Sequence, residues 1–356
     1  MNKIKHLFFA LVSVLIVSVL GIGVFSIGID TLLGKTVLLS LATVSPQSMI
    51  GLYTSSKSNG ETAEPFVTDT EYNGHLQISL PSETEFVTAT VEQQKMGNII
   101  KKSLSPYNAN TKFGAVYINN KCGESIDIES DLQNPLDYTV TKSQEPQILI
   151  YHTHSTEAFM TSESEYYTNT DEPRSIDCEK NIVKIGEILA NELESCGFKV
   201  VHSKIIHDSP AFSGSYDRSA NTVKEILEKY PSIKIAIDVH RDSISSGESD
   251  KVAPVVTVDG KEAAQVMLVM GSQTGSVKDY PDWRKNLRLA TKLQYTFESR
   301  YPQFSRAMLL KTSRYNQHLT TGSILIEIGS DANTFSQAEY SAKLVGRSLV
   351  ALLESQ

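Results

Sequence analysis

Cysteine is scarce in this chain, with three residues among 356, and none of them forms a CxxC pair. A cysteine zinc cluster and a thioredoxin-type redox motif are therefore excluded, and the odd number argues against a disulfide framework. An excess of basic residues is also lacking, since 33 Lys and Arg stand against 41 Asp and Glu. With a formal net charge of −8, a basic surface that binds nucleic acid is not expected.

Two common catalytic motifs are missing as well. The chain has no GxSxG, the nucleophile turn of many serine hydrolases, and no HExxH, the helical motif of many zinc proteases. Serine hydrolase chemistry is therefore a poor fit, and so is the usual metalloprotease arrangement.

One long apolar run lies near the N-terminus. Residues 7–29 read LFFALVSVLIVSVLGIGVFSIGI without a charge, and a helix rising about 1.5 Å per residue crosses a bilayer core of about 30 Å over this length. Lys3 and Lys5 precede the run, which predicts a cytoplasmic N-terminus and an extracytoplasmic remainder. A cleaved signal peptide is the alternative, but its apolar region is only about 7–15 residues long. We therefore predict a single-pass anchor in the cell membrane.

Composition divides the rest of the chain. Residues 30–93 are predicted to form a juxtamembrane segment and a polar stalk, which buries too little apolar surface to fold. Residues 94–143 form either a small subdomain or strands added to the main domain. Residues 144–356 alternate short apolar strands with amphipathic helices. This alternation predicts an α/β fold with a mostly parallel sheet flanked by helices.

Three of the predicted strands end in residues that suit a metal site. The first runs into His152, His154 and Glu157, the second into His240, and the third ends at Glu327. Ligands bind at the carboxyl ends of strands in open α/β sheets, so these side chains meet if the strands are neighbours. A single strand-end histidine is more often structural, but three of the eight histidines occupy matching positions. Imidazole and carboxylate without thiolate are typical of catalytic zinc.

Five segments carry a family resemblance when taken together. They are 148–157 (ILIYHTHSTE), 215–218 (SYDR), 237–243 (IDVHRDS), 315–317 (YNQ) and 324–329 (ILIEIG). In these segments the chain resembles the stage II sporulation protein P family, which is related to zinc-dependent N-acetylmuramoyl-L-alanine amidases. The resemblance implies an amidase-like domain that removes stem peptides from peptidoglycan glycan strands during sporulation engulfment, and that also cuts peptide crosslinks. It implies two partners, a membrane-anchored lytic transglycosylase and a multispanning membrane protein.

The resemblance also implies the ligands of the zinc ion. His154 and His240 are the expected histidine ligands. His152 is then a supporting group or a substrate contact, unless the alignment slips by two residues and makes it a ligand. The carboxylate ligand stays open between Glu157, which belongs to the same segment as His154, and Glu179, which precedes the following helix. We favour Glu157.

Catalytic roles follow from the same comparison. Glu327 is predicted to be the general base that accepts a proton from zinc-bound water. Arg241 is predicted to neutralise a stem-peptide carboxylate or the developing oxyanion. Alternatively, it pairs with Asp242 and braces His240. Asp238 is predicted to orient a ligand histidine.

Three other functions remain open. A zinc carboxypeptidase or deacetylase acting on the cell wall uses the same kinds of ligand. A wall-binding scaffold without catalysis keeps the fold but not the reaction, although every predicted catalytic position is filled here. A periplasmic-type receptor for small molecules is the weakest of the three, because nothing in the sequence marks such a pocket.

Overall fold

The structure is a computed structural model that describes residues 92–356. The predicted anchor at residues 7–29 and nearly all of the predicted stalk lie outside this range. Within the range, no helix combines the length and the apolar content needed to cross a membrane.

Between residues 92 and 356, five α-helices alternate with strands. They are α1 Ile128–Gln133, α2 Ile182–Ser195, α3 Ser215–Lys229, α4 Trp283–Arg300 and α5 Phe335–Glu354. The helix α2 shows why they form. Its buried residues recur every three to four positions, and the Asn181 side chain accepts a hydrogen bond from Val183 N at 2.9 Å. Gly197, with a φ of 92°, ends the helix.

Thirteen strands of the described range form two sheets. They are β1 Lys95–Lys102, β2 Thr111–Phe113, β3 Val116–Asn120, β4 Ile148–Tyr151, β5 Tyr166–Thr168, β6 Val200–His202, β7 Ile235–Asp242, β8 Ser245–Ser246, β9 Asp250–Val258, β10 Lys261–Ala264, β11 Val266–Ser272, β12 Met308–Thr312 and β13 Ser323–Ser330. The larger sheet has the order β2-β3-β12-β11-β13-β7-β4-β6. The smaller sheet has the order β10-β9-β1-β5, with β8 paired to β9.

The α/β class is confirmed, but the prediction of a mostly parallel sheet was wrong. In the larger sheet β11 runs antiparallel to β13, and β2 runs antiparallel to β3. In the smaller sheet only the pairing of β1 with β9 is parallel. Parallel strands need a long crossover connection, usually a helix. The chain passes from β7 to β11 without a helix, and β11 runs antiparallel to β13, which is itself parallel to β7. Both sheets are therefore mixed.

The larger sheet is buried on both faces, as its alternating side chains show. On β4, Ile148 and Ile150 belong to the main apolar core with α2, α4 and α5. Leu149 and Tyr151 point the other way, into a smaller cluster that includes Val223 of α3. The sheet therefore has an α2 face and an α3 face, and this distinction decides where each candidate residue points.

Candidate active site

The three predicted strand ends meet in the structure. The strand β13 pairs with β7, and β7 pairs with β4, both in parallel, which confirms that these strands are neighbours. Glu327 lies directly opposite His240 in the register of β13 and β7. Because side chains alternate along a strand, Asp238, His240 and Glu327 all point to the α3 face.

A cavity of about 350 Å³ lies on this face. Its floor includes apolar residues of β11, β12 and β13. Its polar lining consists of His154, Glu157, Arg174, Tyr216, His240, Arg241, Asp242, Ser243, Lys311, Tyr315 and Glu327. The predicted residues His154, Glu157, His240, Arg241 and Glu327 are therefore brought together.

His240 is buried between two carboxylates. Its Nδ1 lies 3.5 Å from Glu157 Oε2, and its Nε2 lies 2.9 Å from Asp238 Oδ1. The second is a close charge contact, because Nε2 makes no aligned hydrogen bond. Burial by itself lowers the pKa of His240, but the two carboxylates outweigh it and raise this pKa well above its usual value. The surroundings of His240 therefore favour a positive charge.

Asp238 is fixed from the neighbouring strand end by Thr153. Asp238 Oδ1 accepts a hydrogen bond from Thr153 N at 2.8 Å, and Oδ2 accepts one from Thr153 Oγ1 at 2.6 Å. Burial raises the pKa of a carboxyl group, but the charge of His240 and these hydrogen bonds hold the pKa of Asp238 below its usual value. Asp238 thus stands where a residue that orients His240 has to stand.

The two alternative carboxylates occupy different environments. Glu157 is buried, lines the cavity and accepts a hydrogen bond from Arg241 N at 3.0 Å. Glu179 is exposed and pairs with Lys184 at 2.9 Å. Of the two, only Glu157 lies beside His240, so the geometry agrees with our preference for it.

His154 lies across the cavity from His240. The two rings are nearly perpendicular, with centroids 5.2 Å apart. His154 Nδ1 is 3.3 Å from Ser215 Oγ at the start of α3, and Phe212 stacks on the ring at 4.4 Å. Burial, followed by the charge of His240, lowers the pKa of His154. The ring is therefore held as a neutral imidazole. Its Nδ1 contacts Ser215, and its Nε2 does not.

His152 does not reach the cavity. The alternation along β4 continues to this residue and turns it to the α2 face, where it packs against Gly186. Its Nδ1 lies 2.9 Å from Val239 O, which can only accept, so Nδ1 carries the proton. Its Nε2 lies 2.9 Å from His202 Nε2. The structure places this predicted ligand in a buried pair with His202, apart from the cavity that holds His154.

Glu327 combines burial with an unused oxygen. Its Oε2 is buried and has no hydrogen-bond partner among the described residues. Burial raises the pKa of Glu327 to about 8; the charge of His240 opposes this rise, and the charge of Glu157 adds to it. A carboxyl group in this state is suited to proton transfer near neutral pH.

Arg241 holds the loop that follows β4. Its Nε donates to Ala158 O at 3.0 Å, and its guanidinium also donates to Pro173 O. The carboxylate of Asp242, the alternative partner predicted for Arg241, forms an ion pair with Arg306 at 2.8 Å instead. The guanidinium is thus engaged with one backbone carbonyl of the loop that carries Glu157 and one of the loop after β5, which is a bracing arrangement.

The donor chemistry of the cavity fits zinc, but the full ligand set is not in place. Glu157 Oε2 and His240 Nδ1 are 3.5 Å apart, and two ligands around a tetrahedral ion with bonds of about 2.0 Å are roughly 3.3 Å apart. As the side chains stand, no three His, Cys, Asp or Glu residues between 92 and 356 are arranged to hold one ion. One pair has ligand spacing, and a third ligand has to move toward it.

Several residues near the site were missed by sequence reasoning. Arg174 forms an ion pair with buried Asp208 at 2.6 Å, and its guanidinium stacks on Phe212 at 4.8 Å. Phe212 in turn covers His154. The sequence predicts no role for the SYDR segment. In the structure its first residue, Ser215, contacts His154. The loop residues Arg174, Asp208 and Phe212 carry no periodic signal, so composition and spacing cannot find them.

Comparison with known families now decides the relationship of the chain. A family model described as Stage II sporulation protein P (SpoIIP) matches residues 51–349. The chain belongs to the SpoIIP family. The resemblance inferred from the five segments is confirmed.

One curated relative illustrates how far this SpoIIP family member has diverged. Stage II sporulation protein P of Bacillus subtilis (strain 168) is 27% identical over 213 residues, which cover 57% of this chain and 50% of that protein. The chain therefore spans about half the length of the curated relative it matches.

Similar solved structures include two amidases. N-acetylmuramoyl-L-alanine amidase AmiC2 of Nostoc punctiforme is 14% identical, with a TM-score of 0.36, over 60% of this chain and 99% of that one. The CwlD amidase of Clostridioides difficile, solved with the GerS lipoprotein, is 12% identical, with a TM-score of 0.36, over 59% of this chain and 100% of that one. Scores this low carry no argument about the function of the SpoIIP family member.

Proposed function

We propose that this SpoIIP family member is a zinc-dependent N-acetylmuramoyl-L-alanine amidase that removes stem peptides from peptidoglycan glycan strands, and that the same site also cuts peptide crosslinks. The observation that carries the proposal is the cluster of His154, Glu157, His240 and Glu327 around one cavity. Membership of a sporulation family supports peptidoglycan as the substrate. The cavity, at about 350 Å³, falls within the roughly 300–1,000 Å³ of ligand sites.

The metal is proposed on the donor set and its spacing. His240 and Glu157 would hold zinc through Nδ1 and Oε2, and His154 would complete three protein ligands through Nε2. Bound zinc supplies a water molecule of lowered pKa and polarises the amide carbonyl. Asp238 orients His240 through its Nε2, and Ser215 accepts the Nδ1–H of His154, so each ring presents its other nitrogen to the cavity.

Glu327 performs the proton transfers in this proposal. It accepts a proton from the attacking water, whose oxygen forms a bond to the amide carbonyl carbon. It then gives that proton to the leaving nitrogen as the carbon–nitrogen bond breaks, so the amine leaves neutral. The unpartnered Oε2 and the position opposite His240 support this role. For Arg241 we propose a bracing role, since its guanidinium holds the loop that carries Glu157.

The cellular setting is proposed from the sequence and the family. Residues 7–29 would anchor the chain in the cell membrane, and residues 30–93 would let the catalytic domain, residues 144–356, reach the wall outside. The family implies two partners in engulfment, a membrane-anchored lytic transglycosylase and a multispanning membrane protein. Binding of both is part of the proposal.

The first test measures products from purified peptidoglycan. The full chain in detergent is incubated with peptidoglycan in the presence of zinc or of a chelator, and soluble products are identified by mass spectrometry. We expect zinc-dependent release of intact stem peptides. The isosteric Glu327→Gln variant cannot accept a proton, so its kcat should fall by about 10²–10⁴-fold.

The control is Glu339→Gln, which removes a carboxylate of α5 that pairs with Lys343 outside the cavity; its kcat should equal that of the unmodified chain. Shortened peptides would identify a carboxypeptidase, and free acetate would identify a deacetylase. Peptidoglycan binding without any product under every metal condition would refute the amidase and favour a scaffold.

A further inference from the structure

Two consecutive residues beside the cavity have backbone conformations that side chains rarely adopt. Tyr315 and Asn316 have φ angles of 46° and 56°. The other non-glycine residues of the described range with positive φ are Asp259, Asp279 and Gln303; none of them follows another, and Asp259 is paired only with a glycine, Gly260. Asparagine tolerates this region, whereas the Cβ of a tyrosine is crowded there. Such strain persists only where the surroundings enforce it, and it clusters at functional sites.

The two residues after the tyrosine hold this backbone in place through their side-chain hydrogen bonds. Asn316 is buried, and its Nδ2 donates to Tyr216 O at 2.8 Å and to Ser219 Oγ at 2.9 Å. Gln317 is fully buried, and its Nε2 donates to Val269 O at 2.8 Å. These bonds tie the segment to α3 on one side and to β11 on the other. They account for the placement of Asn316 and Gln317 but not for that of Tyr315.

The tyrosine itself faces the cavity. Tyr315 lines it together with His240 and Glu327, and its ring centroid lies 6.1 Å from that of Tyr216. The hydrogen bonds of the segment come from Asn316 and Gln317, and within the described residues none comes from the Tyr315 phenol. The strained backbone therefore presents the Tyr315 phenol to the cavity.

The two guanidinium groups that line the cavity are already engaged by other partners. The Arg241 guanidinium donates to the carbonyls of Ala158 and Pro173. The Arg174 guanidinium is engaged by Asp208. A phenol is both a donor and an acceptor at neutral pH. Tyr315 therefore brings a phenol without a hydrogen-bond partner among the described residues to a cavity that also contains Lys311 and several carboxyl groups.

We propose that Tyr315 is a catalytic residue whose phenol donates a hydrogen bond to the carbonyl oxygen of the amide that is cut, as this oxygen gains negative charge. This inference rests on the proposed amidase function. The carboxylate of Glu157 lies in the same cavity and makes a further negative charge there costly, so a donor aimed at that charge stabilises the transition state.

The electron balance of this step is simple. The oxygen of the attacking water forms a bond to the carbonyl carbon, and the π electron pair moves onto the carbonyl oxygen. The Tyr315 O–H donates to that oxygen without releasing its proton. When the carbon–nitrogen bond breaks, the pair returns to re-form the carbonyl, and the leaving nitrogen takes its proton from Glu327.

The test replaces the hydroxyl and keeps the ring. In the full chain, Tyr315→Phe is compared with the unmodified chain in a stem-peptide release assay, and the binding of peptidoglycan and the Tm are measured separately. A donor that acts in the transition state contributes about a hundredfold to kcat. We therefore expect kcat to fall by about a hundredfold, with KM, peptidoglycan binding and Tm unchanged.

Tyr295→Phe is the matched control, because Tyr295 is an exposed tyrosine of α4; it should retain full kcat. A Tyr315→Phe variant with full kcat, with a loss confined to KM, or with a lowered Tm would overturn the inference while the amidase function stands. An unmodified chain that releases no stem peptide would overturn the amidase function and the inference together.

Discussion

Among single residues, Asp238 has the most influence on the geometry of His240. It is fully buried, and one of its oxygens contacts His240 Nε2 while both accept hydrogen bonds from Thr153. An asparagine has nearly the same shape but no charge. The asparagine variant therefore loses the charge interaction that fixes the His240 ring with its Nδ1 available to a metal.

For Asp238→Asn we expect zinc affinity to fall by about 10–100-fold, the usual effect of removing a partner that orients a ligand. The measurement is a competition titration of the purified chain against a chromogenic chelator. Asp250→Asn is the control, because Asp250 accepts a comparable backbone hydrogen bond from Asn98 at 2.9 Å in the smaller sheet and does not line the cavity. Equal affinities for Asp238→Asn and the unmodified chain would argue against His240 as a ligand.

The sequence predicted the site better than it predicted how each residue faces. Residue type and strand-end position were enough to bring His154, Glu157, His240 and Glu327 to one cavity. They were not enough for His152, because its direction depends on whether the alternation of β4 continues past the last paired residue. Hydrogen bonds of Arg241 to carbonyls of a distant loop are equally invisible in a sequence.

For helices and strands, the sequence predictions were correct where a strong hydrophobic period coincided with a buried face of the element. The apolar residues of segment 181–195 recur at helical spacing, which predicts the helix α2, and the late strand predicted to end at Glu327 corresponds to β13. The smaller sheet was not predicted. Its strand β1 is largely exposed, so its apolar residues give little alternation. The tertiary pairing of β1 with β5 and β9 stabilises it instead.

The helix α2 packs closely on the histidine pair through Gly186. A Cβ added at Gly186 would lie 2.5 Å from the His152 ring and 2.9 Å from His202 Nε2. The His152 ring is fully buried and bonded at both nitrogens, so it cannot move away without loss. The glycine is thus needed for a close approach, although it lowers the helix propensity of α2.

We expect Gly186→Ala to lower the free energy of unfolding by about 1–3 kcal/mol, since overpacking a buried contact outweighs the gain in helix propensity. Urea denaturation followed by circular dichroism measures it. The control is Asn191→Ala, an exposed position of the same helix, which should be neutral or slightly stabilising. A Gly186→Ala chain as stable as the unmodified one would mean that the ring pair repacks freely.

For the molecule as a whole, the same pair links stability to pH. His152 Nδ1 donates to Val239 O, so its Nε2 accepts, and the proton in the 2.9 Å contact belongs to His202. His202 Nδ1 is buried and has no hydrogen-bond partner among the described residues. Burial, followed by the charge of Lys204, lowers the pKa of His202 to about 4, against an opposing effect of Glu187. The folded chain therefore keeps His202 neutral at pH values where the unfolded chain protonates it.

The sign of the effect follows from this difference. Above about pH 6.5 neither state binds the proton and the full stability is present, whereas between about 6.5 and 4 only the unfolded chain binds it. His202 should therefore lower the stability on acidification by at most about 1.4 kcal/mol per pH unit and about 3 kcal/mol over the window, in addition to the effect of His152, whose pKa is lowered by burial to about 3. Urea midpoints between pH 7.5 and 5 measure this slope. The His202→Gln variant keeps an N–H donor but does not titrate, so its slope should be smaller by one proton. An equal slope in both chains would show that His202 is protonated in the folded state, and the neutral pair on the α2 face would have to be abandoned.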